Sequence, residues 1–418
     1  MPQKKFFKRD IQFNTSNNNN RKSLKFIIVL SSVATTLIAI TTLLTLWWFN
    51  EIPLASPINQ LTSFHFTRHP IFSSQDQKMV YGFLPYWNTQ NLQLHDRLTR
   101  LGYFGLTIGK DGKILTVVDG ETDPGYRVLQ SDAFLEITNR VKSNGGQIDL
   151  VVKQFNADDI RSFLSSPPAQ TNFFNSLESI LLGYDVTGIN IDIELNGEAS
   201  PELRQNYTKF IQNLRTFLNH RFENIELSVD VYASASKNNQ LWDMPSLTPF
   251  VDFFVIMAYD FHSSSSDQAG PVAPLLGGKK YWDSDINSHL KNFLQSIPRE
   301  KLLLGIPFYG YEWQTTSTDS QSMTFPDTGQ AVVYSRIQEL LSDDSPYQVT
   351  EHWNEAALSP YLTYTDQNKT YVLYYDNSRS ISYKLDYVNQ LDLAGIAIWA
   401  LGYEGESPEL WEVIEQKL

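Results

Sequence analysis

Residues 188–194 read Gly-Ile-Asn-Ile-Asp-Ile-Glu, and this alternation constrains the fold more than any other stretch. Side chains of a strand alternate faces with period two. Ile189, Ile191 and Ile193 therefore point one way, and Asn190, Asp192 and Glu194 the other. The isoleucines call for burial, whereas carboxylates cannot be pressed into an apolar core without compensation. A closed parallel barrel meets both demands. The isoleucines pack beneath an outer layer of helices, and the polar residues line the barrel and rise toward its C-terminal mouth. Glu194, last in the series, then lies nearest the mouth. Two carboxylates on one face hinder each other's ionisation, which keeps one of them protonated near neutral pH and able to donate its proton. The competing reading, a solvated strand with ordinary surface carboxylates, leaves the isoleucines unexplained.

The rest of the chain supports the barrel. Strand-like apolar runs occur at 80–84, 103–108, 148–153, 188–194, 226–232, 251–258, 302–307 and 395–400. Helical patterns fall between several of them, at 173–182, 202–218, 285–294 and 381–390. Eight strands with intervening helices predict an α/β fold, a (β/α)8 TIM-type barrel over 79–418. The gap between the seventh and eighth strands exceeds a plain helix. Runs at 361–365 and 371–375 and a helix near 334–341 predict a small α+β insertion over about 311–378, on the rim of the mouth.

Ahead of the barrel the composition changes. Residues 1–25 carry seven basic side chains against Asp10, a net of +6, so the remainder of this chain of net charge −13 stands at −19. Residues 26–49 are 24 consecutive uncharged residues ending in Trp47-Trp48. As a helix they would extend about 36 Å, enough to span a bilayer with some tilt. The expectation is a basic cytoplasmic tail (1–25, including the low-complexity Asn17–Asn20), a transmembrane signal-anchor helix (26–49), a tether (50–78) and an extracytoplasmic barrel. A signal peptide cut near Leu54-Ala55-Ser56 is the competing reading, disfavoured by the length of the apolar run. The acidic main domain argues against nucleic acid as a ligand. The chain has no cysteine, which rules out disulfides and thiolate metal sites. His65 and His69 lie in the tether without carboxylate companions, so neither a metal nor another cofactor is expected.

Several motifs together resemble glycoside hydrolase family 18, the chitinase-like barrels. The family signature D-G-x-D-x-D-x-E aligns with Thr187-Gly188-Ile189-Asn190-Ile191-Asp192-Ile193-Glu194. Tyr81-Gly82-Phe83 with Tyr86-Trp87, Met257-Ala258-Tyr259-Asp260, Gly305-Ile306-Pro307-Phe308-Tyr309-Gly310 and residues 395–402 (GIAIWALG) are similar to its first, sixth, seventh and eighth strands, in the same order. The resemblance implies that Glu194 protonates the glycosidic oxygen. The substrate's own 2-acetamido group would act as nucleophile, as the family is exempt from the usual two-carboxylate scheme. It further implies that Asp192 orients that group, that Tyr259 hydrogen-bonds its oxygen, and that Asp260 contacts the sugar. Trp399 would floor the pocket, with Asn190, Met257 and Tyr81 completing the substrate-binding set. For Trp87, Tyr309, Trp313 and Tyr403, cleft and core are not separable from sequence.

The pattern departs from the family at Thr187 and Asn190, where the signature carries aspartates. Losing one carboxylate at Asn190 is expected to hold the site's pKa values lower and to shift an activity optimum toward acid. Asn190 and the run Val372-Leu373-Tyr374-Tyr375-Asp376-Asn377-Ser378-Arg379-Ser380 are similar to a bacterial subgroup that includes the spore-cortex peptidoglycan N-acetylglucosaminidases. Asp376 to Ser380 reads as helix capping rather than catalysis. The leading expectation is a membrane-anchored enzyme cutting β-linked N-acetylglucosamine glycans, with peptidoglycan ahead of chitin. A non-catalytic glycan-binding barrel is the alternative from a different class.

Overall fold

In the computed structural model, residues 77–90, 92–236 and 239–418 are described. The basic tail, the predicted anchor at 26–49, most of the tether and His65 with His69 lie outside the described residues. Among the described residues, no helix is long and apolar enough to cross a membrane.

Eight parallel strands close into a barrel. They are β1 (Met79–Pro85), β2 (Arg100–Thr107), β3 (Gln147–Gln154), β4 (Gly188–Ile193), β5 (Glu226–Tyr232), β6 (Phe253–Met257), β7 (Leu302–Pro307) and β8 (Gly395–Trp399). Each strand pairs with its neighbours in sequence, and β1 closes the ring against β8 through Val80 opposite Ile396 and Gly82 opposite Ile398. All eight predicted strands are present, with ends shifted by up to three residues. Glu194 falls one residue past β4, its backbone N–H donating to Gln154 O at 3.0 Å.

Helices cover the outside as the apolar periodicity requires. Helix Pro201–Arg221 buries Leu203, Tyr207, Phe210, Ile211, Leu214 and Leu218, a single stripe at helical spacing. Its start is set by Ser200, whose side chain accepts from Leu203 N, and by a proline in the first turn, where the missing N–H costs nothing. Phe210 meets Phe163 and Phe173 at ring separations of 5.0 and 5.5 Å, joining three helices into one aromatic layer. Ile189, Ile191 and Ile193 are fully buried. Each contributes roughly 1.5–3 kcal/mol by leaving water.

The barrel interior has two halves. Tyr81, Phe83, Phe104, Val151, Val255, Leu303 and Ala397 form an apolar cluster with Trp399 packed on it. Strands β3 to β5 instead turn Asp149, Asn190, Asp192, Ser228 and Asp230 inward, all buried. The lower end is tied by Arg100, which reaches Asp149 at 3.1 Å and also bonds Gln147 and Glu226. Gly188 is required here, because a β-carbon at that position would stand 2.3 Å from Asp149 Oδ1.

Between β7 and β8 lies a five-stranded antiparallel sheet, ordered Gln330–Val333, Tyr309–Thr315, Lys369–Tyr374, Ser359–Asp366 and Thr350–Asn354, with helix Tyr334–Leu341. The insertion begins two residues earlier than expected and holds three strands beyond the two legible in sequence. Asn377 caps helix Ser378–Leu391 in a reciprocal capping box with Ser380, in keeping with the capping role read from sequence. Asp376 pairs with Lys384 at 2.6 Å, both fully buried, and pins that helix to the insertion.

Candidate active site

The polar half of the barrel opens upward into a carboxylate group at the C-terminal end. Asp192 is 3% exposed, and Glu194, one step higher on the same face, is partly buried. Burial raises the pKa of Asp192 well above the usual carboxylate range, and the charges of Glu194 and Asp230 push it further. Burial likewise raises Glu194, with Asp260 adding to the effect, while the polar neighbours Tyr232 and Asp192 oppose it. The two carboxyls act on each other, and the deeper Asp192 is raised further than Glu194. Two carboxyls so placed hinder each other's ionisation, as the i, i+2 spacing predicts.

Tyr259 and Asp260 follow β6 and face the pair. Tyr259 is partly buried, and burial together with Asp230, Asp260, Glu194 and Asp192 holds its phenol neutral, as a hydrogen-bond donor. Asp260 has a left-handed backbone, φ +60°, a conformation that Asp tolerates better than most residues. The residue is exposed at the cleft wall, and the Tyr309 hydroxyl of the insertion donates to its carboxylate. Trp399 ends β8, partly buried, with its ring 4.7 Å from Phe104 and nearly perpendicular to it. Trp87 and Phe155 extend this aromatic surface outward from Phe104, at 6.1 and 6.3 Å, and are 49% and 47% exposed. Such a surface offers flat apolar faces against which sugar rings stack. Met257, at the end of β6, is partly buried beside Tyr232 across the sheet.

Glu194, Asp192, Tyr259, Asp260, Trp399 and Met257 thus converge on one mouth. Two further candidates do not reach it. Tyr81 is 1% exposed within the apolar cluster, its hydroxyl near Asp149 and filling the space left by Gly102. It is a floor residue and not a sugar contact, because it sits low on β1, opposite Arg100. Asn190 is fully buried, and its Nδ2 donates to Ser228 Oγ at 3.0 Å and Asp230 Oδ1 at 2.6 Å. Both of its N–H groups are engaged inside the barrel, so it too is a support. Of the four aromatics left open, Trp87 lies on the cleft side. Tyr309 and Trp313 are buried in the insertion's core, and Tyr403 packs against that core.

Three functional-looking residues went unnoticed in sequence. Asp230, 3% exposed, adds a further buried carboxylate on the neighbouring strand, its pKa raised by burial. Tyr232, two residues on, hydrogen-bonds Asn196 at 3.0 Å and faces Glu194. Both follow from the alternation Ser228, Asp230, Tyr232 against Leu227, Val229, Val231, the same pattern that marks β4. Lys153, the cross-strand neighbour of Asp192, places its ammonium 4.6 Å from the Phe104 ring centre. Among the described residues, no cluster of three or more His, Cys, Asp or Glu is arranged to hold a metal ion.

Comparison with known proteins agrees with this geometry. The profile of Glycosyl hydrolases family 18 matches residues 63–404. A Bacillus subtilis protein named as a sporulation-specific glycosylase, YdhD, is 26% identical over 289 residues, covering 68% of this chain and 63% of its own. The cortical fragment-lytic enzyme of Bacillus anthracis is 23% identical over 336 residues, covering 76% and 67%. Among solved structures, a group IV chitinase of Ostrinia furnacalis superposes with a TM-score of 0.68 at 21% identity, covering 81% of this chain and 98% of that one. The family match spans most of the chain and includes every strand of the barrel, and the chain therefore belongs to glycosyl hydrolase family 18.

Proposed function

We propose that the chain hydrolyses β-linked N-acetylglucosamine glycans with retention, using Glu194 as general acid and the substrate's acetamido group as nucleophile. The observation that carries this reading is the placement of Asp192 and Glu194, two residues apart on one inward face at the top of β4, the first buried and the second partly buried. Both carboxyls stand on one strand, on the same side of any bound ring. A two-carboxylate glycosidase needs them on opposite faces. A proton donor without an opposed nucleophile suits a substrate that carries its own. In this reading Asp192 orients the acetamido group and offsets its developing positive charge. The Tyr259 hydroxyl donates to the acetamido oxygen, Asp260 bonds the sugar, Trp399 lies beneath the ring, and Met257 packs at its edge.

Peptidoglycan is the favoured glycan. Relatives named for lysis of spore cortex support it, as does the uncharged run at 26–49, which we read as a membrane anchor that would keep the barrel beside the wall. The test incubates the purified chain with peptidoglycan and, separately, with chitin oligosaccharides, and identifies products by mass spectrometry. Fragments with N-acetylglucosamine at the new reducing end, released faster from peptidoglycan, are expected. Faster cleavage of chitin would reassign the substrate, and sugar binding without cleavage of either would make the barrel a lectin. A chain starting after residue 50 should leave the membrane fraction for the soluble one.

A further inference from the structure

The departure at Asn190 carries a further consequence, which rests on the catalytic reading above. Asn190 is fully buried and spends both hydrogens of its amide on β5, one on Ser228 and one on Asp230. The amide nitrogen is the end that meets β5, donating to Ser228 Oγ and Asp230 Oδ1. Asn190 Oδ1 is then left buried without a hydrogen-bond partner. Asp192 stands next above on the same face, and its own Oδ1 is also buried and unpartnered. Both oxygens are acceptors left without a donor on one inward face, and a proton on Asp192 would provide one there.

We propose that Asp230 is the third carboxylate of this site, a positioning residue that holds the Asn190 amide with its oxygen toward Asp192 and so commits Asp192 to carry the proton it shares with Glu194. The carboxylate absent from β4 has in effect moved one strand across, to β5. Other ionisable groups facing the cluster are Tyr81 from β1, Arg100 from β2 with Asp149 from β3 beneath it, Lys153 from β3, Tyr232 from β5, Tyr259 and Asp260 after β6, and Tyr207 from the outer helix. Burial keeps the four tyrosines neutral, so among groups acting on Asp192 Lys153 is the only cation. The charge balance on Asp192 is therefore set chiefly by Glu194 and Asp230 against Lys153.

The test uses the full chain and three variants: Asp230→Asn, Asn190→Asp, and the double exchange Asn190→Asp/Asp230→Asn. The first is isosteric and keeps an acceptor for the Asn190 amide while removing the charge. The pH dependence of kcat/KM is measured on a soluble N-acetylglucosamine oligosaccharide. Carboxyl titration by 13C NMR, with the Asp192 and Glu194 signals assigned through variants at those positions, runs in parallel. Asp230→Asn should move the basic limb toward acid by about one pH unit, and the exchange should restore it. Asn190→Asp alone crowds a further carboxylate into the cluster and should move that limb toward alkali.

An unmoved limb in Asp230→Asn, or an exchange that restores nothing, would overturn the proposal. Should Asp230→Asn not fold, the exchange decides alone, because it returns both the charge and the hydrogen bond. A wild-type chain that cuts no N-acetylated glycan would defeat the functional reading, while the carboxyl titration would still decide the role of Asp230.

Discussion

Replacing Lys153 by Met should move both limbs of the pH–rate profile toward alkali. Lys153 lies across from Asp192 in the β3–β4 register, and its ammonium rests over Phe104 without a salt bridge among the described residues. Its charge favours the ionised form of Asp192, opposing burial and the two neighbouring carboxylates. Paired strands lie about 4.8 Å apart. For a charge separation of roughly 6 Å and an effective dielectric constant near 20, the interaction is about 2.8 kcal/mol, or about two pH units. Lys153 is only partly buried, and solvent screening reduces the expected shift to about one unit. The sign follows from removing a cation: the protonated forms of the Asp192–Glu194 couple gain, so both apparent pKa values rise. The assay is kcat/KM against pH on a soluble N-acetylglucosamine oligosaccharide, with Lys153→Arg as the conservative control. A profile that stays put in Lys153→Met, or moves toward acid, would refute the electrostatic account of the couple.

Other outcomes follow from the same structure. Arg100→Met strands Asp149 and Glu226 without their shared cation. Asp149 already sits near pKa 6 because burial outweighs Arg100, so a loss of about 3–5 kcal/mol by urea unfolding is expected at pH 7. That loss should shrink as the pH falls toward 6, because Asp149 without Arg100 takes up its proton above that pH and then needs no partner. Tyr309→Phe removes a hydrogen bond that holds the Asp260 carboxylate down. Asp260 should then titrate higher, and kcat/KM at neutral pH should fall roughly tenfold to a hundredfold, as expected for a hydrogen bond to a charged group. Ile191→Ala should cost about 2–5 kcal/mol of stability without moving the pH profile, because it empties a fully buried outer position.

Much of this molecule was legible in its sequence because its strongest pattern has a single physical solution. Alternating isoleucine and carboxylate in residues 188–194 fits only a strand buried on one side and polar on the other, and Glu194, Asp192, Tyr259 and Trp399 meet as that pattern and the family resemblance imply. Tyr81 and Asn190 were misplaced for one reason. Period two tells which residues point inward, but depth along the barrel axis comes from register, which one strand alone does not reveal. Asp230 and Tyr232 were visible in the alternation of 226–232, but their significance depends on the contact with Asn190 across strands. The insertion was underread because its strands are short, Gln330–Val333 having four residues and Thr350–Asn354 being largely polar, and they acquire their conformation by pairing within the sheet.

The most direct measurement compares wild type with Glu194→Gln on the glycan that the wild-type chain cleaves, with product identity and rate followed by mass spectrometry. Glutamine keeps the shape and hydrogen bonding of Glu194 but has no proton to give. General acid catalysis of this kind is worth about 10²- to 10⁴-fold. A collapse of kcat by that factor, with KM little changed, is the predicted result. Cleavage at the wild-type rate by Glu194→Gln would contradict the account and place the acid elsewhere in the cleft.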